Sequence, residues 1–199
     1  NIYFIGIGGI GMSALARYFL ALGYRVAGYD KTETTLTKKL VEEGVKIHYE
    51  DDLSLIDKAF KSHAHTLVII TPAIPENHSE WIFFKEEGFE ILKRAQVLGR
   101  ITETNKSIGV AGTHGKTTIS SMISYIFKYC KVPFTAFLGG ISKDLGSNYY
   151  YDTKSEITVI EADEYDRSFL ELKPTIATVS AIDPDHLDIY GTQEEMQKT

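Results

Sequence analysis

"GVAGTHGKTT", Gly109 to Thr118, ends an apolar run, turns on two glycines and opens a helix, so its reading decides the fold of the second half of the chain. The phosphate loop of nucleotide hydrolases carries a Gly five positions before its Gly-Lys-Thr. Here that position is Val110. Two readings follow: an accidental match in a Gly- and Thr-rich turn, or a shorter loop, GTHGKT, that holds a nucleoside triphosphate with fewer residues. Such a loop needs backbone N–H groups, a Lys reaching the outer phosphates and a hydroxyl for Mg²⁺. Gly112, Thr113, His114 and Gly115 supply the turn, Lys116 the cation, Thr117 the hydroxyl, and Thr118 continues the helix.

Around this loop the chain has the composition of an ordinary globular protein, with 199 residues, 43% hydrophobic and 24% charged. A formal charge of −6 leaves no overall basic field for nucleic acid or anionic lipid, so a phosphate ligand must be held locally. The single cysteine, Cys130, excludes an internal disulfide, disfavours a cysteine metal site, and reads as a small buried apolar residue. No stretch is apolar for long enough to cross a bilayer, and no signal segment opens the chain, so the expected location is cytoplasmic. The missing initiator Met and an end inside helical "EEMQKT" read as a piece of a longer protein.

The pattern of elements is α/β. "NIYFIGIGG" is a strand ending in glycines, "GMSALARYFLALG" a helix closed by Gly23, "YRVAGYD" a strand, "TLTKKLVEEG" a helix and "VKIHY" a third strand. "HTLVIITPAI" and "WIFFKEEG" add a strand and a helix. After helical "RAQVLGRITETN" the pattern restarts with strand "KSIGVAG" and helix "KTTISSMISYIFKYC". "EITVIEADE" and "TIATVSAID" read as two further central strands ending in acidic residues, and "NYYYD" as a packed or hairpin tyrosine cluster. Alternation of this kind predicts parallel sheets. The expected domains are a Rossmann-like unit over 1–105 and the start of a P-loop ATPase-like α/β unit over 106–199.

Gly6, Gly8 and Gly11 fit G-x-G-x-x-G between a strand and a helix, where backbone N–H groups and the helix dipole favour a phosphate. Asp30, at the end of the next strand, is placed to meet a ribose hydroxyl. On its own this turn fits a nicotinamide dehydrogenase, or a glycine turn needed only for tight packing. For the second turn, Glu161 in "VIEADEYD" and His186 in "DPDHLDIYG" end later strands, which in an open parallel sheet gather along one crevice. A carboxylate suits Mg²⁺, and a neutral imidazole a second cation or the transferred phosphate.

Taken together, "GIGGIGMSALA", "RAQVLGRI", "GTHGKTT", "EADEYDRSFL" and "DPDHLDIYG", in this order, resemble the Mur ligases over the whole chain. In that family the loop reads GTxGKT, and Val110 is normal. The resemblance implies a first domain that holds the UDP end of a sugar nucleotide, with Gly8, Gly9, Ile10, Gly11, Met12 and Ser13 seating the pyrophosphate. It implies a central domain for ATP and Mg²⁺, and a C-terminal domain, beyond this chain, for the amino acid. The implied reaction joins L-alanine to the carboxylate of UDP-N-acetylmuramate through an acyl phosphate. Lys116 would stabilise the transferring phosphoryl, Thr117 and Glu161 would hold one Mg²⁺, and His186 would help bind a second. The chain alone is expected to be inactive.

A relative that attaches a preformed tripeptide to the same sugar nucleotide is the alternative within the family, and a nicotinamide dehydrogenase or a non-catalytic nucleotide sensor the alternatives outside it. Two positions depart from the family pattern. Ala14 replaces a frequent Gly, and Ala181 a frequent Asn whose polar contact Ser180 is the nearest residue to replace.

Overall fold

The computed structural model describes residues 1–184 and 187–198, which form two compact units, Asn1–Val97 and Leu98–Thr199. In the first unit, β1 (Ile2–Ile5), β2 (Val26–Tyr29), β3 (Lys46–His48), β4 (Leu67–Ile70) and β5 (Glu90–Lys93) make one parallel sheet in the order β3-β2-β1-β4-β5. Helices α1 (Ile10–Ala21), α2 (Thr35–Glu42) and α3 (Ser79–Glu86) connect the strands, and α4 (Arg94–Thr104) follows β5. The order reverses at β1, whose neighbours are β2 and β4, so the turn after β1 lies at the switch point where doubly wound sheets bind ligands.

β1 is buried along its whole length because a central parallel strand is covered on both faces. Tyr3, Ile5, Tyr29, Phe60, Val68, Phe84 and Phe89 form the core beside it. Burying each large apolar side chain contributes roughly 1.5–3 kcal/mol. The short edge strand β5 and the 3-10 turns between β3 and β4 do not stand out in the sequence, since neither has a sustained period.

One part of this core is polar. Glu80 is fully buried, accepts a hydrogen bond from Tyr3 Oη at 2.8 Å, and lies 3.1 Å from His48 Nε2. Burial pushes the Glu80 carboxyl up to about 8 and lowers His48 from its ordinary value. The neutral pair is self-consistent: His48 Nδ1 donates to the Glu50 carbonyl at 2.9 Å, which leaves Nε2 to accept. Asp51 closes the start of α3 from outside the helix, accepting from the Ser79 amide at 2.9 Å.

The second unit carries a mixed sheet in the order β10-β6-β9-β7-β8. β6 (Lys106–Ala111), β7 (Thr135–Ser142), β9 (Ile157–Glu161) and β10 (Ile176–Val179) run parallel, and β8 (Ser147–Tyr151) pairs antiparallel with β7. The tyrosine run is the returning strand of this hairpin, with Tyr150 stacked on Phe134. β10, expected as a central strand, is an edge strand among the described residues, and its Ile176 and Val179 are exposed. α5 (Lys116–Tyr129) packs on β7 and β9, while α6 (Leu187–Tyr190) and α7 (Gln193–Lys198) follow β10. Cys130, expected to be buried, is exposed, because it caps the C-terminal end of α5, where the helix meets solvent.

Candidate functional site

The first glycine turn joins β1 to α1. Gly6 has φ +88°, a conformation that favours glycine, and a Cβ there would collide with the Thr71 methyl. Gly9 begins α1 without a side-chain cap, and no acidic residue stands in the first turn. α2, by contrast, is closed by a capping box between Thr34 and Thr37. The opening of α1 is thus left to its own N–H groups and the positive end of the helix dipole.

Within the predicted seat the residues differ. Gly9 and Ile10 are exposed, whereas Met12 and Ser13 are buried. The Ser13 amide donates to the Gly9 carbonyl and its hydroxyl to the Ile10 carbonyl, each at 2.8 Å, so its polar groups serve the helix. Asp30 does not point away from the turn: its carboxylate accepts from the Gly8 amide at 2.6 Å and the Thr32 amide at 3.1 Å. Arg94 was missed by sequence reasoning. A Cβ on Gly11 would come within 2.7 Å of its Cδ and Nη1, so a cation from the start of α4 lies against the turn. Sequence distance hides this neighbour; only the "RAQVLGRI" motif hints that the position matters.

The second turn joins β6 to α5. Val110 is fully buried inside β6 and registers with Glu161 on β9, so the position five before Gly115 belongs to a core strand and has no use for glycine. The turn proper is short, with Gly112 at φ +121° and Gly115 at φ +80°. Gly112 is also required by space, because a Cβ would strike Ser180 and the backbone of Ala181 at the end of β10. The same segment ties the loop down. The Thr113 amide donates to the Ala181 carbonyl at 3.0 Å, the Asp183 amide donates to Thr113 Oγ1 at 3.1 Å, and Ser180 Oγ donates to the carbonyls of His114 and Ala111. Ala181 thus acts through its backbone, and Ser180 supplies the polar side chain. His114 is largely exposed and lies 3.8 Å from the Asp183 carboxylate.

Three of the predicted residues converge. Thr117 Oγ1 donates to Glu161 Oε1 at 3.0 Å, and the Gly139 amide on β7 donates to Glu161 Oε2 at 2.8 Å. Lys116 Nζ lies in the same crevice, 2.8 Å from the Gly112 carbonyl. Its other partner was not anticipated: both carboxylate oxygens of Glu164 lie 2.8 Å from Nζ, in a pair whose side chains are 14% and 8% exposed. Glu164 was present in the quoted "EADEYD", but nothing in a run of acids separates the one that faces a lysine. His186 lies outside the described residues. Among those described, no group of three or more His, Cys, Asp or Glu is arranged to hold a metal, and no helix is long and apolar enough to cross a membrane.

A doubly wound unit with an uncapped glycine turn, followed by a unit whose short Gly-Lys-Thr loop meets a strand-end carboxylate, is the arrangement of α/β phosphate-loop proteins. The chain belongs to the Mur ligase family, matching its catalytic domain over residues 1–106 and its middle domain over residues 110–199. It is 56% identical over 198 residues to the UDP-N-acetylmuramate–L-alanine ligase of Parabacteroides distasonis, covering 100% of this chain and 43% of that protein. The enzyme of the same name from Phocaeicola vulgatus is 57% identical over 194 residues, covering 98% of this chain and 42% of that protein.

Among solved structures, the UDP-N-acetylmuramate-alanine ligase MurC of Thermotoga maritima superposes with a TM-score of 0.87 at 30% identity, over 100% of this chain and 45% of that one. The UDP-N-acetylmuramate:L-alanyl-gamma-D-glutamyl-meso-diaminopimelate ligase of Neisseria meningitides gives 0.88 at 26%, over 99% of this chain and 65% of that one. The chain thus spans less than half the length of the alanine ligases that it matches.

Proposed function

We propose that this chain is the sugar-nucleotide-binding and phosphoryl-transfer part of a cytoplasmic, ATP- and Mg²⁺-dependent ligase that joins L-alanine to the carboxylate of UDP-N-acetylmuramate in peptidoglycan precursor synthesis. The observation that carries this reading is the convergence of Lys116, Thr117 and Glu161 at a helix start that has no side-chain cap. The donor set suits Mg²⁺: two hard oxygens, 3.0 Å apart, match the separation of about 2.8–3.0 Å between adjacent ligands of an octahedron with bonds of 2.0–2.1 Å. Bound between Thr117 and Glu161, the metal would neutralise phosphate charge.

The protein's own groups do the rest. Backbone N–H groups at the start of α5 receive the phosphates, and the Lys116 ammonium stabilises the charge that builds up as the γ-phosphoryl passes to the muramate carboxylate. The alanine amine then attacks the acyl phosphate, and phosphate leaves. Gly139 fixes Glu161 so that its second oxygen stays aimed at Thr117. His186 is assigned to a second cation by its motif alone. In the first unit, the N–H groups of Gly9 to Met12, at a helix start without a side-chain cap, and the nearby Arg94 guanidinium would hold the UDP pyrophosphate.

The alanine-ligase reading is favoured over the tripeptide reading by the high identity to alanine ligases across the chain. Calorimetry with UDP-N-acetylmuramate and NADH tests the substrate assignment. Binding of the sugar nucleotide without NADH is expected, and the reverse result would overturn it. In the full-length protein, product mass after incubation with ATP, Mg²⁺ and either L-alanine or the tripeptide separates the two ligase readings.

A further inference from the structure

We infer that Glu164 is an internal stand-in for the nucleotide's outer phosphate, holding Lys116 in the ligand-free protein and competing with Mg·ATP for it. The inference rests on the nucleotide reading above and adds a residue to it. A lysine ammonium has three N–H donors and no acceptor. Lys116 Nζ already faces three oxygens at 2.8 Å: the Gly112 carbonyl and both oxygens of Glu164. Its hydrogen bonds run to the Gly112 carbonyl and to Glu164 Oε1, so a phosphate that takes more than the one remaining N–H must displace one of them, and the Gly112 carbonyl belongs to the loop that would itself cradle the phosphate. Glu164 is the partner that can leave.

Its position supports an exchange. Glu164 is only 6% exposed, yet it stands at the start of the 3-10 segment Tyr165–Glu171, outside the sheet, while Glu161 ends β9 and is held there by Gly139. The Glu164 carbonyl accepts from the buried Tyr190 hydroxyl at 2.7 Å and from the Arg167 amide at 3.1 Å, so Tyr190 is one of the groups that hold the residue, from the side of α6. A buried carboxylate that loses its cation is strongly disfavoured, so arrival of phosphate must be coupled to outward movement of Glu164 and of the segment that carries it. The acid thereby keeps Lys116 aimed and its charge balanced before the nucleotide arrives, and it weakens the binding of anions that cannot displace it.

The test uses the folded full-length protein, wild type and Glu164→Gln, with thermal melts to confirm folding. Calorimetry with Mg·AMPPNP, whose γ-phosphate reaches Lys116, should show about tenfold tighter binding in Glu164→Gln, with AMP binding unchanged. Tyr190→Phe, which loosens the tie without altering the ion pair, should shift Mg·AMPPNP affinity in the same direction by two- to threefold. A ligand-free readout runs in parallel. Acetic anhydride labelling of the Lys116 amine, followed by peptide mass spectrometry, should rise at least threefold in Glu164→Gln. Equal or weaker nucleotide binding by Glu164→Gln would overturn the inference, because Glu164 would then orient Lys116 and not compete for it. Unchanged labelling would overturn it as well. Raised labelling with no nucleotide bound by either protein would remove the nucleotide reading itself, and the competition with it.

Discussion

On the proposed reading, the two glycine turns hold phosphate at a helix start with different means. At the first, no charged side chain comes from the turn. The donors are backbone N–H groups, the nearby cation Arg94 comes from a distant helix, and a single carboxylate, Asp30, occupies the Gly8 amide. At the second, the cation and the hydroxyl lie within the helix's own first turn, as Lys116 and Thr117, and two carboxylates answer them, Glu164 and Glu161. A site that only binds a diphosphate has charge of fixed size to neutralise. A site that transfers a phosphoryl group must meet charge that develops during reaction, so it needs a cation fixed close to the reacting atoms. Such a cation needs balancing when the site is empty, and at the second turn it faces a buried acid, Glu164, for which the first turn has no counterpart among the described residues.

The largest expected effect comes from removing the fixed cation. In the full-length enzyme Lys116→Ala should lower kcat on the order of a hundredfold or more, because its contact strengthens in the transition state. UDP-N-acetylmuramate affinity should stay unchanged, and a parallel loss of that affinity would erase the division of labour between the turns. Next comes the metal partner. Glu161→Ala should raise the Mg²⁺ concentration needed for half-maximal activity by at least about tenfold, with activity partly restored at high Mg²⁺ since phosphate oxygens still hold the metal. Steady-state rates across a Mg²⁺ series measure this, and a wild-type profile would end the assignment.

The first turn should respond through space. Gly11→Val places carbon where Arg94 Cδ and Nη1 now lie, and should weaken sugar-nucleotide binding at least tenfold, about 1.4 kcal/mol, while Mg·AMPPNP binding is kept. Loss of both ligands would indicate a folding defect shared by the two units.

Between about pH 4 and 8 a pH effect on stability should come from Glu80 in the first unit. The Glu80 carboxyl is raised to about 8 in the folded protein against an ordinary value near 4.3 unfolded, so the folded state binds the extra proton between these values. Its stabilising contribution is complete below about pH 4 and declines as pH rises towards 8, by up to about 1.4 kcal/mol per pH unit. Melting followed by the fluorescence of Trp81, the single tryptophan, should fall over that range, and Glu80→Gln should flatten the slope. The smallest effect is that of Ser180→Ala, which removes hydroxyl bonds to the His114 and Ala111 carbonyls. It should cost about 1 kcal/mol or less, read as a slight loss of Mg·AMPPNP affinity.

The sequence by itself determined the alternation of strands and helices, both glycine turns, and the residue types at the phosphate loop. These are local: a strand feeding glycines and then a helical period is written in consecutive residues, and Lys116 and Thr117 follow the loop directly. It also placed Glu161 at a strand end, from which parallel pairing brings it to Thr117. Tertiary structure alone decided the rest. Val110 needs no glycine because it is buried in β6 opposite Glu161. Asp30 turns inward to the Gly8 amide, Arg94 reaches the first turn from across the unit, and Ser180 clamps the second from β10. Cys130 is exposed because helix length, not residue type, sets where α5 ends. Among the acids of "EADEYD", Glu161 and Glu164 are chemically alike, and their roles divide only when the chain leaves β9. A carboxylate three residues further on then faces a different cation, and a partner forty-eight positions away in sequence is set by packing and not by any local pattern.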